Sequence, residues 1–322
     1  MNLIANATRV AVLSRSFSRH PILRAELAEL HPNVTFNDTG RTLAGAELVT
    51  FLTGHEAAIV ALEQIDESVF AKLPGLRVIS KYGVGLDNVD LQAASKHGVK
   101  VGWTGGVNRR SVAELTIAFA IVGLRGVMAA NAEIRGGGWR QHIGRQLSDV
   151  TIGLVGCGHV GQEVVQLLSG WGTRILAHDV RSFPEFYAKY HVTPVDFDTL
   201  VRDSDVVSLH VPLTKTTRMM IGAEQLARMK PNSVLVNAAR GGLIDEQALA
   251  NALRNGPLAA ACLDVFGVEP PDCAELLALP NFLATSHIGG SAEEAIVAMG
   301  RAAIAGISTA TDPLTHIPPW AG

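Results

Sequence analysis

Residues 150–161 read VTIGLVGCGHVG, and this stretch constrains the fold more than any other. Thr151 to Val155 has the unbroken apolar character of a strand buried on both faces, and it runs into Gly156, Gly158 and Gly161, the spacing G-x-G-x-x-G. The first glycine permits a tight turn, the second lets the main chain approach a pyrophosphate, and the third lets the next helix pack on the strand. A helix starting near His159 would aim unpaired N–H groups and the positive end of its dipole at an anion. A second strand, Arg174 to His178, leads to Asp179, about twenty residues past the glycines, where an acid accepts hydrogen bonds from adenosine ribose hydroxyls. A carboxylate there repels a 2′-phosphate, so the pattern predicts NAD rather than NADP; Arg181, two residues on, pulls the other way.

A dinucleotide motif near the middle of 322 residues argues for two domains. The net charge of −3 gives no electrostatic footprint for nucleic acid or an anionic membrane, so neither is expected as a partner. Cys157, Cys262 and Cys273 are odd in number and lack metal-ligand spacing, which predicts free thiols, no metal and a reducing compartment. The first residues, MNLIANATRV, lack a basic segment followed by a long apolar core, and no apolar run reaches membrane-spanning length. A soluble cytoplasmic protein is expected.

In chain order, Arg9–Ser14, Val34–Phe36, Leu48–Leu52 and Leu76–Ser80 read as short strands, alternating with helical segments at Pro21–Leu30, Asp66–Ala71 and Leu91–Lys96. That alternation predicts α/β architecture with a parallel sheet covered on both faces. Lys81 to Asp87, KYGVGLD, follows a strand directly. Such a loop either presents N–H groups to a carboxylate or is a plain strand-to-helix turn capped by Asp87 or Asn88. Ser111-Val-Ala-Glu114 resembles a capping box at the start of a long apolar helix, broken by Gly136 to Gly138 before Trp139. A helix apolar on nearly every side needs cover between domains or subunits, which predicts a homodimer.

Beyond Asp179, strands at Asp205–Pro212, Ser233–Ala238, Ala259–Val265 and Phe282–Ser286 each end in small or polar residues. The first of these, which includes His210, ends in a turn at Pro212. The other three deliver Arg240, Glu269 and His287 to one edge of the sheet, the reactive edge of a doubly wound fold. Hydride exchange between nicotinamide and a 2-hydroxy or 2-oxo acid needs a group that moves the hydroxyl proton, and imidazole suits this task. A carboxylate beside it fixes the ring's tautomer. Arginine offers a planar fork matched to a carboxylate and polarises a carbonyl.

The runs Asn237-Ala-Ala-Arg240-Gly-Gly, Asp264-Val-Phe-Gly-Val-Glu269-Pro and Ser286-His287-Ile-Gly-Gly-Ser291, in that order after Gly156–Gly161, resemble the signatures of the D-isomer-specific 2-hydroxyacid dehydrogenases. Within that family the motifs sit nearest the phosphoglycerate dehydrogenase branch, in a short form without the C-terminal regulatory domain. The likeness extends to Ser204–Thr214, Met229–Gly242 and Lys81–Asp90. It implies Arg240 as the substrate-binding arginine, Glu269 as the acid orienting the histidine, and His287 as the acid/base. It also implies NAD contacts at Gly156, Gly158, His159, Val160, Gly161, Asp179, His210, Pro212, Ala238, Ala239, Arg240, Asp264 (at the carboxamide), His287, Gly289 and Gly290. Tyr82, Gly83, Val84 and Gly85 match the backbone that holds the substrate carboxylate.

The implied architecture is a Rossmann NAD-binding domain, residues 108–291, inserted into a flavodoxin-like substrate domain, residues 1–107 and 292–322. Helices at Ser111–Arg125 and Ser291–Ile307 would form the hinge between them. The implied partner is a D-2-hydroxy acid or 2-oxo acid, with 3-phosphoglycerate among the candidates. Against phosphate stands Thr53-Gly54-His55-Glu56, read as the loop where an arginine would meet it; Arg109 and Arg110 are the alternative cations. Two rivals remain at the level of sequence. One is an NAD(H)-sensing corepressor or scaffold of the same fold, and the other is an enzyme of formate or phosphite. Retention of Arg240, Glu269 and His287 argues for turnover. Pocket size depends on Thr53–Glu56, Tyr82, Arg109 and the tail His316–Trp320.

Overall fold

The computed structural model describes residues 8–317. They form two compact units, one from the chain up to Asn108 joined by the chain from Ala292, the other Arg109–Ser291. The Pro318–Trp320 part of the tail lies outside the described residues.

The first unit holds β1 (Val10–Val12), β2 (Val34–Phe36), β3 (Ala57–Val60), β4 (Val78–Lys81) and β5 (Lys100–Gly102), all parallel in the order β2-β1-β3-β4-β5. Alternate residues along a strand face opposite sides. Ala11, Ala58, Val60 and Ile79 accordingly join one core with Leu48, Leu52 and Phe70. Val10, Val12, Ile59 and Val78 join the other with Phe17, Leu23, Leu27 and Ile307. The last of these sits on the helix Glu293–Thr309, which brings the end of the chain back to this unit. Ser80 Oγ fastens it, donating to the Ala303 carbonyl at 2.6 Å.

One expected strand is a helix. Leu48–Leu52 belongs to the helix Gly45–Leu52, with Leu48 and Leu52 buried one turn apart, and the strand comes afterwards at Ala57–Val60. A short apolar run containing Val and Thr does not separate the two forms by periodicity. The correction moves Thr53–Glu56 to the amino end of β3. The loop at its carboxyl end is Ala61–Ile65, so Thr53–Glu56 lies at the edge opposite the ligand-binding one and does not bear on a substrate phosphate.

The second unit holds β6 (Thr151–Val155), β7 (Arg174–His178), β8 (Thr193–Pro194), β9 (Val206–Leu209), β10 (Ser233–Asn237), β11 (Leu258–Leu263) and β12 (Phe282–Ala284). All are parallel, in the order β12-β11-β10-β9-β6-β7-β8. Chain order reverses on either side of β6, and ligands of such sheets bind at the carboxyl ends beside that reversal. Separate cores cover the two faces.

The helix Arg109–Arg125 packs on β10, β11 and the helix His159–Leu168, so its own unit covers much of its apolar surface. It begins two residues before Ser111, which therefore is not its cap. Ser111 Oγ instead donates to the Gly289 carbonyl at 2.6 Å, and Glu114 receives Arg110 Nε at 2.7 Å. It ends at Arg125, as expected, where Gly126 at φ 60° precedes a second helix Val127–Arg135. Among the described residues no single helix is long and apolar enough to cross a membrane; these two pass only as a pair bent by 64°.

Candidate active site

β6 feeds a turn at Gly156, where φ is 97° and a Cβ would stand 2.5 Å from the His210 carbonyl oxygen. Only glycine satisfies both conditions. Gly158 then caps the helix His159–Leu168 without a side-chain bond, and no acceptor among the described residues takes the amide hydrogens of His159 and Val160. These are the open donors that a pyrophosphate needs. Cys157, inside the turn, is buried and its thiol is pushed up to about 11 by desolvation and the nearby Asp179 charge, so it is inert.

Asp179 follows β7 and is 6% exposed. Its Oδ2 accepts the Cys157 amide at 2.8 Å and its Oδ1 the Arg181 amide at 2.8 Å, binding the second strand end to the glycine turn. His210, one residue past β9, shares a hydrogen bond between Nε2 and Ser208 Oγ at 3.0 Å. Burial lowers its pKa to about 4, so the ring is neutral near pH 7. Its Nδ1 is an orphaned buried polar atom, of the kind a bound ligand satisfies. Pro212 is exposed beyond it. Glycine turn, open amides, the acid after β7 and the orphaned imidazole nitrogen together fit a dinucleotide.

β10, β11 and β12 supply the remaining groups at the same edge. After β10, Asn237 clamps the turn that carries Ala238, Ala239 and Arg240: its Nδ2 donates to the Arg240 carbonyl at 2.9 Å and its Oδ1 accepts the Ala239 amide at 3.0 Å. Arg240 is half-buried, with one guanidinium nitrogen 2.6 Å from the Ala239 carbonyl. After β11, Glu269 Oε1 accepts the Phe266 amide at 3.1 Å, which leaves Oε2 3.0 Å from Nδ1 of His287. Nδ1 donating to this carboxylate puts Nε2 at the free end of the ring.

His287 follows β12 in the left-handed region, φ 55°. Its amide donates to the Asp264 carbonyl at 2.9 Å. The Asp264 carboxylate, 1% exposed, accepts Thr285 Oγ1 and the Ile288 amide (2.7 Å) on Oδ1 and the Gly289 amide (2.7 Å) on Oδ2. Such over-determination lets a strained residue persist, at a cost of about 1–3 kcal/mol. Both oxygens of the residue expected at the nicotinamide carboxamide are thus already engaged within the protein. Gly290 completes the segment, half-buried.

In the first unit, Tyr82–Gly85 follows β4. Tyr82 is buried edge-on against Phe17, with ring centroids 5.4 Å apart, and Gly83 has φ 127°. Trp103 Nε1 donates to the Val84 carbonyl at 2.8 Å, while no acceptor among the described residues takes the amides of Gly83, Val84 and Gly85. A concave run of free amides is an anion cradle. Lys81, 6% exposed, braces it from below through Asn88 Oδ1 at 2.6 Å and the Ala61 carbonyl.

Sequence reasoning gave Asn237 and Lys81 no role of their own within their motifs and passed over Trp103. A lysine ending an otherwise apolar strand was the one visible signal among them. It also left open the fate of Arg109 and Arg110. Both pair with Glu163, at 3.0 and 3.2 Å, joining two helices of one unit. No cluster of His, Cys, Asp and Glu fit to hold a metal occurs among the described residues.

The family model of the D-isomer specific 2-hydroxyacid dehydrogenase NAD binding domain matches residues 117–289. Hydroxypyruvate reductase of Thermotoga maritima is 43% identical over 225 residues, covering 68% of this chain and 72% of its own. D-3-phosphoglycerate dehydrogenase of Methanocaldococcus jannaschii is 41% identical over 240 residues, covering 74% of this chain but 46% of its own, so the match spans about half of that protein. A solved structure of a putative D-isomer specific 2-hydroxyacid dehydrogenase from Polaromonas sp. superposes with TM-score 0.85 at 29% identity, covering 94% of this chain and 95% of that one. The chain belongs to the D-isomer specific 2-hydroxyacid dehydrogenases, NAD-dependent oxidoreductases of 2-hydroxy and 2-oxo acids.

Proposed function

We propose that this dehydrogenase reduces small, unphosphorylated 2-oxo acids, with His287 as acid/base, Glu269 as its orienting partner and Arg240 as the substrate-binding cation. The carrying observation is the 3.0 Å contact between His287 Nδ1 and Glu269 Oε2 at the edge that also bears Arg240. NADH supplies the hydride that reduces the substrate carbonyl carbon. His287 gives the proton on Nε2 to the carbonyl oxygen as negative charge gathers there, and Glu269 fixes the ring's tautomer and orientation. Arg240 pairs with the substrate carboxylate and draws charge toward the carbonyl oxygen. The free amides of Gly83 to Gly85 support residues 1–107 and 292–322 as the substrate domain, with 108–291 as the cofactor domain.

Absence of phosphate from the substrate is supported by the commitment of Arg109 and Arg110 to Glu163, and by the loop after β3, which carries Glu63 and no arginine. NADH oxidation against glyoxylate, pyruvate, hydroxypyruvate and 3-phosphohydroxypyruvate tests this. Turnover confined to the phosphorylated acid refutes it, and silence across the panel with NADH bound sinks the catalytic reading.

Exposed Val127, Ile134, Trp139 and Ile143, on the arm after Gly126, support a homodimer, which light scattering at micromolar concentration checks. Free thiols support a cytoplasmic location, and the net charge of −3 supports the absence of a nucleic-acid partner.

A further inference from the structure

The turn after β7 carries a cation that NAD binding does not require. Arg181 Nε lies 3.3 Å from Asp179 Oδ1, with the arginine side chain 41% exposed and the aspartate 6% exposed. Its guanidinium carbon stands 4.9 Å from the centroid of the Phe183 ring. One terminal nitrogen lies 3.0 Å from where a Cβ of Gly158 would be. The guanidinium therefore spans from the ribose-side carboxylate to the cap of the helix His159–Leu168, held on one face by an aromatic ring.

An isolated carboxylate in this position would reject a 2′-phosphate by charge. Here Asp179 receives two backbone amides and an arginine, is largely buried, and has its charge compensated by the more exposed partner. The group that solvent and ligand meet is the planar fork of Arg181, whose geometry matches phosphate oxygens. We propose that Arg181 makes the adenosine end of the site take 2′-phosphorylated dinucleotide as well as NAD(H), so that the enzyme also reduces 2-oxo acids with NADPH. The reaction balances as it does with NADH: 2-oxo acid, NADPH and one proton give the 2-hydroxy acid and NADP⁺. The inference rests on the reading of Asp179 as the ribose-side acid, and the test separates the two.

Calorimetric titration with adenosine 2′,5′-bisphosphate and with 5′-AMP isolates the 2′-phosphate without involving turnover. The native enzyme binds the bisphosphate at least as tightly as 5′-AMP. Arg181→Ala weakens the bisphosphate by about 10- to 100-fold, the scale of a lost charge-assisted pair, and changes 5′-AMP by less than about threefold. Arg181→Lys, which keeps charge without the fork, falls between and covers the case in which the alanine variant does not fold. In steady-state assays the NADPH to NADH ratio of kcat/KM drops in parallel. Two results overturn the proposal: native enzyme that binds 5′-AMP but not the bisphosphate, or an Arg181→Ala loss equal for both ligands. Asp179→Ala that leaves 5′-AMP affinity intact overturns the ribose reading beneath it.

Discussion

Asp264→Asn tests what holds His287 in place. The native carboxylate accepts three hydrogen bonds, two on Oδ1 from Thr285 and Ile288 and one on Oδ2 from Gly289. Asparagine keeps the first two if its carbonyl takes the Oδ1 position, and its NH₂ then confronts the Gly289 amide across 2.7 Å. One charge-assisted bond is lost, worth about 1.5–3 kcal/mol, and a buried donor facing a donor costs about 1–3 kcal/mol more. The sum is about 2.5–6 kcal/mol. In a unit of this size 1 kcal/mol moves Tm by about 2–4 °C, so Tm falls by about 5–24 °C. The released strap carries His287, whose φ of 55° is stable only while it is held. A displacement of about 1 Å at a catalytic group costs about 100-fold, so kcat drops by about 10- to 100-fold while NADH affinity stays within about threefold. Thermal melts, NADH oxidation with a 2-oxo acid and NADH titration by fluorescence read the three quantities. Unchanged Tm and kcat with weakened NADH would refute the reasoning and return Asp264 to the carboxamide role.

His287→Ala is expected to lower kcat by about 100-fold or more with NADH binding intact, because the proposed acid/base is lost; normal turnover removes it from the mechanism. Asp205 gives a pH signature. Burial alone would raise its carboxyl, but the Thr151 amide at 2.8 Å, Arg145 at 2.7 Å and Lys230 at 3.4 Å hold it below the ordinary carboxylate range. A carboxyl depressed in the folded state stabilises above its unfolded pKa, about 3.9, and that stability is lost as pH falls through the folded value. Asp205→Asn should therefore lower Tm at neutral pH and leave it nearly unchanged under strong acid; parallel Tm–pH curves for variant and parent would count against the assignment.

The cofactor half was legible because its determinants are local. A buried strand, three glycines and an acid a short way on are all written within one β-α-β unit. Arg240, Glu269 and His287 were legible for a different reason: each follows a strand, and parallel strands put all their carboxyl ends at one edge. What escaped was written in groups that the one-letter code does not show. The Asp264 partners are mostly backbone amides, and the partner of Arg109 and Arg110 lies more than fifty residues away at Glu163. In the first unit the run Leu48–Leu52 satisfied strand composition while burying a helical i, i+4 pair. That single error carried Thr53–Glu56 to the wrong end of the sheet.

The three strand-end carboxylates divide their work by oxygen. Glu269 uses Oε1 on a backbone amide and turns Oε2 to the imidazole, so it fixes its own loop and the ring with one side chain. Asp179 uses one oxygen on the glycine turn and the other on the Arg181 backbone, while Asp264 gives both to the strap that follows β12. Backbone amides at strand ends have no ladder partner, and each acid converts that unmet demand into a fixed loop conformation. A rigid sheet alone would deliver seven flexible loops to its edge. The buried acids make those loops rigid enough for a histidine in a strained conformation to hold one orientation. Substitutions at Asp264 should therefore register first in stability, whereas those at Glu269, the one of the three that reaches the proposed acid/base His287, should register first in turnover.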